Sequence, residues 1–405
     1  MQNFPQNQNN YSQEESDLKK NLSEALRKKI DLLTRLYGEG KISLNEISLI
    51  LGINTKETEN IFAKDRLMGT EKKRILIGGG AGFIGSNFVY HMLEKYPQYE
   101  IINYDVLTYA ANIENLRMAE KNPNYSFVQG DIADYEKLEE IAKEGIDAIV
   151  NFAAETAVGR SVHGKAADFI HSNVVGTHTL LELVKNYEIP KFVQISTDEV
   201  YGTVGLDDDK QFFEDSPFLP NVPYAAAKAG GDLMCRAYFN TYGTPVIVTH
   251  CSNNYGPFQH PEKLIPYFIF RAANNQSLPV HGDGKHVRDW IYVRDHCEAI
   301  DDILHKGKLG EVYNISSDNE IPTIEIAKVI LDLIGKPRSL INYVSDRPGN
   351  DRRYSINAEK VKNELDWTPT HTFESAMPKT VEWYQHNIDW VEKIKEKDQD
   401  FTDYI

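Results

Sequence analysis

An apolar strand, a glycine turn and a helix follow one another from residue 74, and few folds accommodate that order. Arg74-Ile75-Leu76-Ile77 runs into Gly78-Gly79-Gly80-Ala81-Gly82-Phe83-Ile84-Gly85, which opens a helix over Ser86 to Lys95. Gly79, Gly82 and Gly85 carry the spacing G-x-x-G-x-x-G. The first glycine admits a tight turn, the second lets a pyrophosphate approach the backbone, and the third lets helix and strand pack closely. The unpaired N–H groups at the helix start then face the phosphates. A second strand, Glu100-Ile101-Ile102-Asn103-Tyr104, ends in Asp105. Asp105 lies about 20 residues beyond Gly85, the offset of a carboxylate that binds the adenosine ribose. Such a carboxylate accepts bonds from ribose hydroxyls and repels a 2′-phosphate, so the pattern favours NAD over NADP.

The alternation continues. Tyr125-Ser126-Phe127-Val128 leads to Gly130-Asp131-Ile132, and Ala148-Ile149-Val150-Asn151 leads to Phe152-Ala153-Ala154-Glu155. A helical segment over 166–187 precedes the strand Lys191-Phe192-Val193-Gln194-Ile195. Strands alternating with helices predict a doubly wound α/β fold of Rossmann type, its parallel sheet covered on both faces. Asp131 and Glu155, at strand ends, are candidates for cofactor or substrate contact.

The last of these strands runs on into Ser196-Thr197-Asp198-Glu199-Val200-Tyr201-Gly202. Open α/β sheets place their chemistry at such carboxyl ends. An extended chain sends Asp198 and Glu199 in different directions. Two carboxyl groups in unlike surroundings can divide the roles of acid and base. Farther on, Tyr224 and Lys228 share one helical face at i and i+4. A phenol with a pKa of about 10 is a weak base at neutral pH. A cation one turn away favours its phenolate, and hydride removal from an alcohol needs a base on the hydroxyl.

Composition limits the alternatives. The chain has 405 residues, a formal net charge of −16 and a pI near 5.3, which disfavours general nucleic-acid or anionic-membrane binding. Cys235, Cys251 and Cys297 have no metal-ligand spacing, and free thiols suit a reducing compartment. No apolar run has the length of a membrane span, and the polar start is no signal peptide. A cytoplasmic protein is therefore expected. Residues 1–16 are rich in Asn and Gln and are expected to be disordered. From about Asp17 to Phe62 the pattern is helical, with a capping box at Ser43-Leu44-Asn45-Glu46. The order of helices and turns resembles a helix-turn-helix. Lys plus Arg equal Asp plus Glu over residues 1–70, so a small helical appendage for assembly or partner contact is favoured over DNA binding.

From residue 73 to about 392 the chain resembles the extended short-chain dehydrogenase/reductases, and among them the nucleotide-sugar 4,6-dehydratases, nearest to those acting on dTDP-glucose. The resemblance rests on Gly79 to Ser86, Asp105 to Ala110, Thr197 to Gly202, Tyr224 to Lys228, Cys251 to Pro257, Pro261 to Pro266, Arg288-Asp289-Trp290 and Asp346 to Gly349. It implies a bound NAD, a nucleotide-sugar substrate and a homodimer formed through helices near 166–187 and 223–242. It also implies a dinucleotide-binding domain over 71–256. Residues 257–405 would form a mainly nucleotide-sugar-binding domain, with some segments returning to the sheet.

By the same resemblance the catalytic residues are Thr197, Asp198, Glu199, Tyr224 and Lys228. The cofactor would be held by Gly79, Gly82, Phe83, Ile84, Gly85, Asp105, Thr108, Asp131, Ile132, Ala153, Tyr224 and Lys228. The substrate would be held by Asn253, Glu262, Lys263, Leu264, Arg288, Asn319 and Arg347, with no metal. Departures from the family pattern fall near the substrate: Ala157 and Gly159 in the loop after Glu155, His281 where Tyr is usual, and Asn350 where His is usual. The nucleotide and sugar therefore stay open, with UDP-glucose and UDP-N-acetylglucosamine beside dTDP-glucose. A 4-epimerase would share the oxidation but has no use for Asp198 and Glu199. A dinucleotide-sensing DNA-binding regulator would not need Tyr224, Lys228 and the carboxyl pair together.

Overall fold

In a computed structural model of the chain, Ile50, residues 72–346 and residues 349–397 are described. The appendage expected over 1–70 lies outside the described residues, apart from Ile50. Arg347 also lies outside them. The strand–turn–helix unit forms as β1 (Arg74–Gly78) and α1 (Phe83–Lys95), followed by β2 (Glu100–Asp105), β3 (Tyr125–Gln129), α2 (Tyr135–Ala142), β4 (Ala148–Asn151), α3 (Val158–Val162) and α4 (Ala166–Ile170). Next come α5 (Thr177–Asn186), β5 (Phe192–Thr197), α6 (Pro223–Tyr242), β6 (Val246–Cys251), β7 (Asn253–Tyr255), α7 (Leu264–Ala273), β8 (Leu278–His281) and β9 (Val287–Tyr292). The chain closes with α8 (Val293–Lys306), β10 (Val312–Ile315), β11 (Glu320–Pro322), α9 (Thr323–Ile334), β12 (Ile341–Val344), α10 (Glu359–Leu365), α11 (Phe373–His386) and α12 (Ile388–Lys397).

Seven strands form one sheet in the order β10-β6-β5-β4-β1-β2-β3, every pair parallel. Successive side chains leave opposite faces of a strand, and the sheet accordingly feeds two cores. Ile75, Ile77, Ile101, Val193, Ile195 and Ile247 pack with Phe88, Val89 and Met92 of α1 and with Ile300 and Ile303 of α8. Leu76, Ile102, Tyr104, Ile149, Phe192 and Val246 pack with Leu138 of α2, with Leu180, Leu181, Leu183 and Val184 of α5, and with Cys235 and Tyr238 of α6. Each such aliphatic side chain contributes about 1.5–3 kcal/mol by leaving water. Leu180, Leu181 and Leu183, on the helical stretch expected to form a homodimer, are therefore already buried within the chain.

The chain leaves β1 toward β2 and β3, then crosses back to β4 on the other side of β1. The carboxyl ends of β1 and β4 consequently flank the crevice where ligands enter such sheets. Two smaller sheets, β11-β9-β7 and β12-β8, lie outside the large one, while β10 joins its edge beside β6. The single helix expected over 166–187 is interrupted by a π-helical turn, His171–Gly176. That turn carries the buried Asn173, whose side chain accepts from the Glu155 N–H and donates to the Glu155 carbonyl. A Cβ on Gly231 would stand 2.5 Å from the Asn173 carbonyl, so only glycine lets α6 pack this close. Among the described residues no helix is long and apolar enough to cross a membrane.

Candidate active site

The glycine turn takes its shape from contact with β4. Gly79 has φ +75°, and a Cβ there would lie 2.5 Å from the Ala153 backbone nitrogen. The N–H groups of Phe83, Ile84 and Gly85 open α1 and have no carbonyl one turn back to bond. They and the positive end of the helix dipole suit an anion. Asp105 ends β2 with both oxygens engaged, accepting from Ala81 N–H at 2.9 Å and Leu107 N–H at 2.8 Å. Burial raises its carboxyl above the ordinary range, against those two bonds.

Two cavities share this turn. One of about 80 Å3 is lined by Gly79, Gly82, Asp105, Thr108, Asp131, Ile132 and Ala153. The other, of about 250 Å3, is lined by Gly79, Gly82, Phe83, Ile84, Gly85, Thr197, Asp198, Glu199, Tyr224, Lys228, Asn253 and Lys263. Together they make a groove with a ribose-type carboxylate at one end, helix N–H groups in the middle and the Tyr224 cluster at the other. That donor and acceptor set fits an extended dinucleotide. A third cavity of about 220 Å3 adjoins it through Glu199, Asn253 and Lys263, and adds Glu262, Leu264, His281, His286, Arg288, Asn350 and Tyr354. A larger, mainly apolar cavity of about 440 Å3 lies over β6 and β10, between Phe218, Phe239 and Val312. Thr197, Glu199, Tyr224 and Lys228 do not line it.

β5 runs two residues past the expected Ile195 and ends at Thr197. The carboxyl pair sits not on extended chain but on a 3-10 turn, Asp198–Tyr201, capped by the Thr197 hydroxyl, which accepts from Glu199 N–H. The turn produces the divergence expected from alternation. Asp198 is buried and its Oδ2 has no hydrogen-bond partner, whereas Glu199 is half-buried and faces both the groove and the adjoining cavity. Burial first, then the charges of Glu199 and Asp289, hold the Asp198 carboxyl well above the usual range. The fold thus favours the protonated form of one carboxyl and leaves the other open to the cavity.

Tyr224 is buried on the first turn of α6. Burial and then Glu199 push its phenol well up, and a hydrogen bond with Thr197 acts the other way. The Lys228 ammonium donates to the Ile195 carbonyl at 2.6 Å. Burial lowers its pKa and Asp232, one turn on, raises it. The expected lowering of the Tyr224 phenol by Lys228 does not dominate in this fold. The lysine points at the strand, and desolvation of the phenolate outweighs a cation so placed.

The substrate-side residues divide. Asn253, Lys263, Leu264 and Arg288 line the 220 Å3 cavity. The Arg288 guanidinium lies 4.2 Å over the Tyr354 ring, and Tyr354 donates to Asp351 at 2.7 Å. Glu262 lines the same cavity, but its carboxylate accepts from the Tyr109 hydroxyl at 3.0 Å. Asn319 does not line it. Its N–H donates to Asp289 and its side chain to Ser317, so it braces Asp289 from behind. Sequence reasoning missed Asn173, Tyr109, Arg160, Ser196, Asp232, His250 and Tyr354. Of these Tyr109 lay inside the Asp105–Ala110 stretch, Ser196 beside Thr197, Arg160 and Tyr354 in stretches that resemble the family, and Asp232 at the i+4 spacing that extends Tyr224 and Lys228 by one more turn, whereas Asn173 and His250 had no signal. Among the described residues no group of three or more His, Cys, Asp or Glu is placed to hold a metal.

A family model described as GDP-mannose 4,6 dehydratase matches residues 76–380. The dTDP-glucose 4,6-dehydratase of Xanthomonas campestris pv. campestris (strain B100) is 48% identical over 338 residues, covering 79% of this chain and 95% of that protein. A structure of dTDP-glucose 4,6-dehydratase from Bacillus anthracis in complex with NAD has 51% identity and a TM-score of 0.75, covering 80% of this chain and all of that one. One from Streptomyces venezuelae, also with NAD bound, has 45% identity and a TM-score of 0.77 over the same shares. With a carboxyl pair and a Tyr–Lys helix meeting at the dinucleotide groove, the chain belongs to the nucleotide-sugar 4,6-dehydratase family of extended short-chain dehydrogenase/reductases.

Proposed function

We propose that the chain is an NAD-dependent 4,6-dehydratase that converts a nucleoside-diphosphate hexose of the dTDP-glucose type into its 4-keto-6-deoxy sugar and water. One observation carries the reading: Thr197, Asp198, Glu199, Tyr224 and Lys228 line the same cavity as the glycine turn. On this reading residues 71–256 hold mainly the cofactor and 257–405 mainly the nucleotide sugar.

NAD, when bound, would supply a hydride acceptor for carbon 4 and, in its reduced form, a hydride donor for carbon 6. The protein's residues do the proton work. Tyr224 is the group beside the 4-hydroxyl that takes its proton, a role that needs the phenolate that burial disfavours, while Thr197, hydrogen-bonded to it, holds the oxygen. Oxidation at carbon 4 acidifies the hydrogen on carbon 5, and Glu199, open to the cavity, removes it as a proton and gives it back to carbon 5 when carbon 6 is reduced. Asp198, whose burial favours the protonated form, gives its proton to the departing 6-hydroxyl, which leaves as water. Lys228 anchors the Tyr224 helix to the end of β5 through Ile195. Arg288 is positioned for the substrate diphosphate, for which a guanidinium is well shaped. A 4-epimerase needs no such elimination pair, so the Asp198–Glu199 arrangement argues against it.

A second substrate reading, a UDP-sugar, is left open by His281 and Asn350, which line the 220 Å3 cavity in place of the family's usual Tyr and His. The test is turnover of dTDP-, UDP- and CDP-glucose and of UDP-N-acetylglucosamine, with detection of a 4-keto-6-deoxy product. Formation from none of them rejects the proposal.

The proposal extends to a homodimer through α4, α5 and α6, a nucleotide-sugar-using enzyme of the cytoplasm with no nucleic-acid partner. Ile170 of α4, Val175 of the π-helical turn, and Leu233 and Tyr242 of α6 leave apolar surface exposed, and all three cysteines are free and buried. Sedimentation as a monomer at micromolar concentration rejects the dimer.

A further inference from the structure

Three loops that leave three different strand ends meet at Tyr109. The Arg160 guanidinium, from α3 after β4, lies 3.5 Å from the Tyr109 ring centroid. The Tyr109 hydroxyl donates to Glu262, from the loop after β7, at 3.0 Å. Arg160 Nε lies 3.6 Å from the other oxygen of the same carboxylate. Arg160 and Glu262 are both buried, where cation–π and charge-assisted contacts gain strength. Tyr109 itself sits between Thr108 and Ala110, which line the dinucleotide groove from the Asp105 end toward the Tyr224 end. The segment begins at Leu107, a non-glycine residue at φ 62°, and its base is tied down by the Leu107 N–H on Asp105.

We infer that Tyr109, Arg160 and Glu262 form a clasp that holds the Thr108–Ala111 wall of the groove shut over a bound dinucleotide. They are positioning residues. They act through the wall and not on the reacting atoms, and the inference rests on the proposed NAD-binding reading. The side chain of Glu262 thereby has a part in the clasp and not in direct recognition of the sugar. Burial and the Glu262 charge keep the Tyr109 phenol well above its ordinary value, which favours the donor form that bonds Glu262. The clasp suits the chemistry. A dehydration that returns its hydride within each cycle gains nothing from releasing the cofactor, and an open wall would admit water to the groove.

The experiment measures exchange of bound NAD for isotope-labelled NAD in the full-length protein and in Tyr109→Phe and Arg160→Lys. The first variant keeps the ring under Arg160 and loses the bond to Glu262. The second keeps the charge and loses the planar stack. Each is expected to exchange about tenfold faster or more, the loss of one buried charge-assisted contact. The double variant is expected to fall short of the product of the two, because the three groups act as one unit. Melting of the NAD-free proteins serves as the control for a general loss of stability. Exchange at the wild-type rate in both variants overturns the clasp, as does faster exchange matched by an equal loss of stability without NAD. A wild-type protein that holds no NAD rejects the cofactor reading itself, a different outcome.

Discussion

Ser196 donates its hydroxyl to Asp232 across 2.6 Å, and that bond ties the end of β5 to the middle of α6. The residue after Ser196 is Thr197, and one turn before Asp232 is Lys228, so the tie sets the spacing between two groups of the site. His250 completes it at 3.1 Å from the same carboxylate oxygen, and its other ring nitrogen lies 2.6 Å from the Tyr201 hydroxyl. Asp232→Ala removes the acceptor and leaves Ser196 and His250 buried without it. A loss of about 3 kcal/mol is expected, read as a lower thermal midpoint, and kcat should fall as well because strand and helix lose register. A melting curve that overlays the wild type overturns this.

Glu199→Gln should separate oxidation from elimination. The amide cannot take the carbon 5 proton, while Tyr224 and Thr197 are untouched. Adding substrate should produce the absorbance of reduced nicotinamide on the protein, with dehydration slowed by about 100-fold or more. Wild-type dehydration in this variant would remove Glu199 from the role of base.

Tyr224→Phe should lose kcat by about 100-fold or more while KM stays within a few-fold, because the Tyr224 oxygen acts on the 4-hydroxyl proton in the transition state and not in ground-state binding. The ring and its edge contact with Phe169 are retained, so the fold should not change. Normal turnover with weakened binding is the contrary result.

Asp198→Asn should cost elimination but gain stability. The folded-state carboxyl is raised above its unfolded value. The native protein therefore favours the protonated form, and stability declines as pH rises from the unfolded pKa, near 3.9, through the folded one. Asparagine is neutral throughout. The advantage of the variant in chemical denaturation should thus be absent well below pH 4, grow as pH rises through that window, and level off above it. An advantage independent of pH would mean that Asp198 is not held protonated.

A protein beginning at Glu71 should fold, bind NAD and turn over substrate at the full-length rate, because β1 starts at Arg74 and every proposed catalytic residue lies beyond it. Comparing turnover and mass in solution with the full chain checks this. Lost turnover in a folded, NAD-loaded truncation would assign the first 70 residues to the active site.

The sequence alone determined what depends on local spacing. The glycine turn, the Asp105 offset and the Tyr224–Lys228 face are relations within one βαβ unit or one helix, where geometry follows from separation along the chain. The parallel sheet was legible for the same reason, since strands alternating with helices have few ways to bury both faces. Residues that meet from distant segments were not legible. Glu262 read as a substrate contact because its motif suggested it, and only packing turned its carboxylate toward Tyr109 and Arg160. Asn319 read likewise, and the pairing of β9 with β11 placed it against Asp289. The roles of Asp198 and Glu199 also required the fold. Adjacent carboxyl groups are alike in sequence. Their difference comes from desolvation, which depends on which one the turn after β5 faces inward.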